Sequence, residues 1–108
     1  MTTFNDREKS FEKKFERDQD LQFKVNARRN KLLGLWAAGV MGKAGADADA
    51  YAKDVVLADF EKPGDSDVVD KLVKDLAAAG KPTEAHTIRK QAERLLGEAK
   101  TQLMSETT

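Results

Sequence analysis

The chain has 108 residues, with 19 basic and 19 acidic side chains, one His, 2 Pro, 7 Gly and no Cys, a length that suits one domain burying roughly 65% of its unfolded surface. The missing cysteine excludes disulfide frameworks, thiolate zinc sites and thiol catalysis, and balanced charge speaks against a dedicated nucleic-acid binder. The apolar stretch around Leu35–Val40 is too short to span a bilayer, and Met1–Asp6 hold no apolar signal core, so neither membrane insertion nor an export or transit peptide is expected.

Strand-like alternation is absent and apolar residues recur at helical spacing throughout. In the first segment Phe4, Phe11 and Phe15 fall at i, i+7 and i+11, one narrow aromatic stripe on an otherwise charged helix. Residues 1–31 carry 9 basic and 6 acidic side chains, which is too polar to supply much core, so this helix is expected to be ordered mainly by a partner. Asp18-Gln19-Asp20 opens a better helix, since acidic residues suit a first turn. Its stripe reads Leu21, Val25, Leu32, Leu35 or Trp36, and Val40, and it stops near Gly42 or Gly45. The pattern leaves open whether residues 5–41 are one bent helix or two.

Ala46–Phe60 follows, with Ala48, Tyr51, Ala52 and Val55 on one face and Val56 and Phe60 beside it. Lys62-Pro63-Gly64-Asp65 breaks the helix. Asp65 or Ser66 can cap the next one, which shows Val69, Leu72, Val73 and Leu76 on one face. Asp67/Lys71 and Asp70/Lys74 are its expected i,i+4 pairs, and Gly80 its stop. The last helix is expected to start with Thr83 as cap and to bury Ile88, Ala92, Leu95, Leu96, Ala99 and Leu103, with residues 105–108 frayed. Short connections make neighbours antiparallel. The expected fold is all-α: a small four-helix bundle made of three core helices plus a polar N-terminal one that is free to move, with residues 1–20 as the N-terminal segment and 21–104 as the bundle.

Little in this pattern suggests an enzyme. His86 is the one His and reads as a surface residue in a first helical turn, Asp47 and Asp49 point apart on a helix, and no phosphate-cradling glycine loop occurs. A basic cluster is more informative: Arg28, Arg29 and Lys31 share a helix with Trp36, so two guanidinium forks and an indole face could serve a phosphate-bearing ligand. The bland reading is solvated cations beside a core Trp, except that one of Arg28 and Arg29 must lie at the edge of the core between Val25 and Leu32. The phenylalanine stripe suits a helix that docks into a partner's groove or one that folds back on its own bundle. Asp6, Glu8, Glu12 and Glu16 disfavour an anionic membrane surface. From its residues alone the chain reads as a helical interaction module.

Four segments go further. RRNKLLGLWAA at 28–38, TTFNDREK at 2–9, YAKDVVLADFEKPGDSDV at 51–68 and HTIRKQAERLL at 86–96 together resemble the zeta subunit, the ATPase-inhibitor subunit of certain bacterial F-type ATP synthases. The resemblance covers nearly the whole chain and is strongest at 20–68. It implies a non-enzymatic regulator whose N-terminal segment inserts at a catalytic interface of the soluble head, near the rotor, and blocks ATP hydrolysis. By position that segment is about Thr2–Asp20, with Phe4, Arg7, Phe11 and Phe15 as anchors. It also implies binding of ADP or ATP on the bundle as a regulatory ligand, with no required cofactor or metal; Arg28, Arg29, Lys31 and Trp36 are the residues that physical reasoning offers for it. The implied protein is cytoplasmic, reaches the membrane only through the synthase, binds no nucleic acid and is monomeric when free. A helical adaptor or nucleotide-sensing module with another protein partner is the alternative. Phe11→Ala or Phe15→Ala is expected to weaken inhibition and to leave the melting temperature nearly unchanged.

Overall fold

A computed structural model of the protein describes residues 3–61 and 65–106, without the side chains of residues 3–7, 65 and 66. Five helices follow in chain order: α1 (Thr3–Arg17), α2 (Gln19–Val40), α3 (Gly45–Glu61), α4 (Asp65–Ala78) and α5 (Ala85–Glu106). No strand occurs among the described residues. Lys62, Pro63 and Gly64, the expected breaker, and the capping side chains of Asp65 and Ser66 lie outside them.

The segment 5–41 is two helices, because Asp18 alone leaves the helical conformation, with φ −103° and ψ 106°. Its carboxylate accepts from the amides of Asp20 (3.0 Å) and Leu21 (3.2 Å), satisfying two donors that a helix start otherwise leaves unpaired. Its own amide still donates to Lys14 O at 2.8 Å, closing α1. Two later helices end in one way. Lys43 N donates to Ala38 O and Gly42 N to Gly39 O, while Lys81 N donates to Leu76 O and Gly80 N to Ala77 O. This doubled bonding needs a left-handed residue just past the helix, and Gly42 (φ 85°) and Gly80 (φ 78°) supply it.

Some local expectations are corrected. α5 begins at Ala85, with Glu84 O accepting the amide of Ile88, and Thr83 does not cap it because its hydroxyl donates back to Lys81 O at 3.0 Å. Ser105 and Glu106, expected to fray, are helical. On α4, Lys71 turns to Asp75 (3.0 Å) and not to Asp67, since Asp75 is already held by the Tyr51 hydroxyl (2.8 Å).

α2 is the central post, packed against all four other helices. The expected stripe misplaces part of its buried surface. Leu21 and Val25 are buried as expected, but so are Leu33, Gly34, Ala37 and Ala38, whereas Val40 is exposed. The reason is small-residue packing: a Cβ on Gly34 would stand 2.7 Å from the Ala52 Cα, so α2 and α3 approach nearly backbone to backbone. The core has two parts. Leu33, Val55, Val68, Leu72, Leu76, Ile88 and Leu95 fill one, under α3 and α4. Phe11, Leu21, Val25, Ala99, Leu103 and Met104 form the other, where α1 lies on α2 and α5. Half-buried Leu32 touches both.

Candidate functional site

α1 keeps its charge outward, with Glu8, Lys9, Ser10, Lys13, Lys14, Glu16 and Arg17 all exposed. Inward, Phe11 is 8% exposed among Leu21, Val25, Ala99, Leu103 and Met104. Phe15 is half-buried beside that cluster, with the Lys100 ammonium 4.4 Å from its ring centre. Lys100 also reaches Glu12 at 3.4 Å, and the Gln22 amide donates to the carbonyls of Phe15 (2.8 Å) and Glu16 (3.2 Å). The side chains of Phe4 and Arg7 lie outside the described residues. In this conformation Phe11 is a core residue and not a spare anchor, so the expectation that Phe11→Ala spares the melting temperature is reversed. Charge density in the sequence hid this, because one aromatic in a polar helix is enough to seat it on the bundle.

The basic cluster does not converge. Arg28 points to α5, donating to Gln102 Oε1 (2.8 Å) and to both oxygens of Glu106 (2.9 and 3.0 Å). Arg29 is buried at 6% exposure and donates through Nε and Nη2 to Asn30 Oδ1, while the fully buried Asn30 amide donates to Asp59 on α3 at 2.9 Å. The expected Arg at the edge of the core is therefore Arg29. Lys31 is exposed, and Trp36 is half-buried against the larger core. The two forks thus have separate partners, Gln102 and Glu106 for Arg28 and Asn30 for Arg29.

What the structure does build near Arg29 is a cavity of about 330 Å³ between α2, α4 and α5. Leu33, Val68, Val69, Ala92 and Leu96 make its apolar wall, and Arg29, Arg89 and Glu93 its polar groups. Sequence reading missed Arg89. Its spacing to Ala92, Glu93 and Leu96 places them on one helical face, but nothing in that spacing announces Arg29 across the gap.

A second polar group joins α3 to α4. Burial raises the pKa of the Tyr51 hydroxyl far above the ordinary phenol range, helped by its hydrogen bond to Asp75 and by the charges of Asp75 and Asp54. Burial also pushes the Asp75 carboxyl up, but hydrogen bonds from Tyr51 and Lys71 outweigh it and hold the group below its usual value. This trio secures packing. His86 is exposed in the first turn of α5. Among the described residues no three His, Asp or Glu side chains gather to hold a metal ion.

A family model described as ATPase inhibitor subunit zeta matches residues 1–102. A solution NMR structure is similar to the chain at 49% sequence identity and a TM-score of 0.70, covering 80% of this chain and 98% of its own. No curated protein matches.

Proposed function

Because the chain belongs to the ATPase inhibitor subunit zeta family, we propose that it is a non-catalytic brake on an F-type ATP synthase, and that α1 is the part that enters the catalytic head and stops ATP hydrolysis. One observation carries this reading. α1 is a complete helix separated from the bundle by the single extended residue Asp18, and it lies on α2 and α5 through a narrow stripe, with Phe11 inserted and Phe15 at the rim. A helix held in this way can leave as a unit, and the same stripe can then fill an apolar groove of the head near its rotor. Phe11 and Phe15 are the described contacts, and Phe4 and Arg7 are the further anchors that the family resemblance offers. The exposed charges on the outer face remain available to polar walls of the cleft.

Nucleotide binding on the bundle belongs to the same proposal. The cavity between α2, α4 and α5 suits a molecule with an apolar ring and an anionic tail, the ring against Leu33, Val69 and Leu96 and the phosphates toward Arg29 and Arg89. Of Arg28, Arg29, Lys31 and Trp36, only Arg29 keeps a role in this arrangement. No helix among the described residues is long and apolar enough to cross a membrane. On this reading the protein works in the cytoplasm and meets the membrane only through the synthase.

The test is ATP hydrolysis by the purified catalytic head of the cognate synthase, titrated with the full chain and with residues 21–108. Inhibition by the full chain alone is the expected result. No inhibition by either would turn the reading toward an adaptor bundle with another partner.

A further inference from the structure

The joint at Asp18 is bonded more fully than a single non-helical residue requires. Leaving the helical conformation there interrupts the three hydrogen bonds that a continuous helix would run from the amides of Gln19, Asp20 and Leu21 to the carbonyls of Phe15, Glu16 and Arg17. The bonds on either side survive, Asp18 N to Lys14 O at 2.8 Å and Gln22 N to Asp18 O at 3.0 Å. Two side chains take over most of what is freed. The Asp18 carboxylate accepts the amides of Asp20 (3.0 Å) and Leu21 (3.2 Å), and the Gln22 side-chain amide donates to the carbonyls of Phe15 (2.8 Å) and Glu16 (3.2 Å). That leaves the Gln19 amide and the Arg17 carbonyl, both on exposed residues that water can serve.

Bent joint and straight helix therefore satisfy nearly the same groups in two different ways. No glycine or proline stands between Phe15 and Gln22, so the backbone can adopt either form. The exits from α2 and α4 differ, because Gly42 and Gly80 there take positive φ, which an α-helix does not contain. What tips the balance at Asp18 is the apolar stripe. In the bent form Phe11 is buried among Leu21, Val25, Ala99, Leu103 and Met104, and straightening takes it away from α5 and leaves Phe11 and Phe15 in water. An apolar groove that covers the stripe removes this cost and leaves the three backbone bonds as gain.

We propose that the Asp18 joint is a two-state latch, bent in the free protein and straightened into one continuous helix from Thr3 to Val40, about 57 Å long, when α1 engages the catalytic head. This rests on the reading of α1 as the inserted segment. Asp18 and Gln22 are positioning residues: they hold the resting form, and inhibition is weakened by the same factor by which they deplete the straight one. Without a partner the straight arm is a polar helix lacking tertiary support, so its amides exchange quickly.

Three variants of the full chain separate the two forms. Gln19→Pro locks the bend. Gln19 is the first residue of α2, where proline is well tolerated, and Asp18 before it is already extended, as a residue preceding proline prefers. In a continuous helix the same ring would strike the Phe15 carbonyl. Asp18→Ala/Gln22→Ala opens the latch by removing both substitute partners, and Gln19→Ala is a control that suits either form. Each is assayed for inhibition of ATP hydrolysis by the catalytic head and for melting temperature. Each also receives Glu8→Cys and Asn26→Cys, exposed sites in a chain that has no cysteine, for a distance measurement between spin labels. A continuous helix sets these two sites on one face, about 27 Å apart, and the bend brings them closer.

Gln19→Pro should keep the short distance, melt within a few degrees of the unsubstituted chain and need at least tenfold more protein for half-inhibition. The double variant should shift to the long distance and need at least threefold less protein. Gln19→Ala should match the unsubstituted chain, which should show the short distance when free and the long one when bound to the head. Inhibition by Gln19→Pro within twofold of the unsubstituted chain, or a short distance in the bound complex, would refute straightening while the brake stands. A double variant that keeps the short distance refutes the two-state joint. Equal weakening by Gln19→Ala traces the effect to a side-chain contact and also sinks the latch. An unsubstituted chain that does not inhibit overturns the brake itself and the straightening on engagement with it.

Discussion

Replacing Phe11 with Ala removes the α1 aromatic that, among the described side chains, is inserted between α2 and α5. Phe→Ala in a core costs about 3–5 kcal/mol where the cavity has nowhere to collapse. Here the loss has a ceiling. α1 is held by Phe11, by the half-buried Phe15, by a Lys100–Glu12 contact at 3.4 Å and by the Gln22 amide. Burying one Phe contributes about 1.5–3 kcal/mol gross, a rim ion pair about 0–1, and ordering the segment takes much of this back. Once the docking free energy is gone the helix simply lifts off, and further weakening costs nothing. The expected destabilisation is therefore about 1.5 kcal/mol, a fall of roughly 6–9 °C in melting temperature for a chain of this length. Amide hydrogen exchange locates the change: α1 amides should lose their protection in the variant while α2 to α5 keep theirs. An unchanged melting temperature with α1 still protected would refute Phe11 as the docking residue. A larger loss spread evenly over all five helices would show that α1 cannot leave as a unit.

The same structure makes further predictions. Gly34→Ala should destabilise by about 1–2 kcal/mol in chemical denaturation, because the new methyl meets the Ala52 backbone at 2.7 Å and overpacking outweighs the propensity gain. Gly97→Ala, with open space around its Cβ in the middle of α5, should instead stabilise by about 0.5–1 kcal/mol. Tyr51 and Asp75 set a pH window. The raised Tyr51 pKa contributes stability that is present below the unfolded phenol value and is lost as pH rises beyond it; the lowered Asp75 pKa contributes stability present above the unfolded carboxyl value and lost as pH falls through the folded one. Tyr51→Phe should lower the plateau and flatten both limbs in melting temperature measured from acid to alkaline pH, and unchanged limbs would show that the pair is not the source.

Much of the helical order was legible in residues. Asp18 could be read as a helix opener because an aspartate there accepts two otherwise unpaired amides, and Gly80 as a stop because only glycine easily takes the left-handed turn. The stripes of α4 and α5 were legible too, being carried mostly by large aliphatics at helical spacing, even though α5 serves both parts of the core. α2 was read less well: its buried surface includes Gly34, Ala37 and Ala38, which look bland in a count of large apolar groups but mark where another backbone comes close. The candidate site was less legible still. Arg28 and Arg29 are neighbours in sequence, yet one hydrogen-bonds to α5 and the other sits in a buried network with Asn30 and Asp59 of α3, a divergence fixed by tertiary partners. Arg89 meets Arg29 at one cavity only because α2 and α5 lie side by side.

The joint at Asp18 also has a mechanical meaning. A linker of many residues would let α1 drift and search, but one extended residue allows rotation without translation. The 15-residue α1 is then a rod of about 22 Å on a fixed pivot. Any push on its tip passes into α2, the helix that every other helix touches, so the bundle resists as a single body and little of the load is taken up as slack.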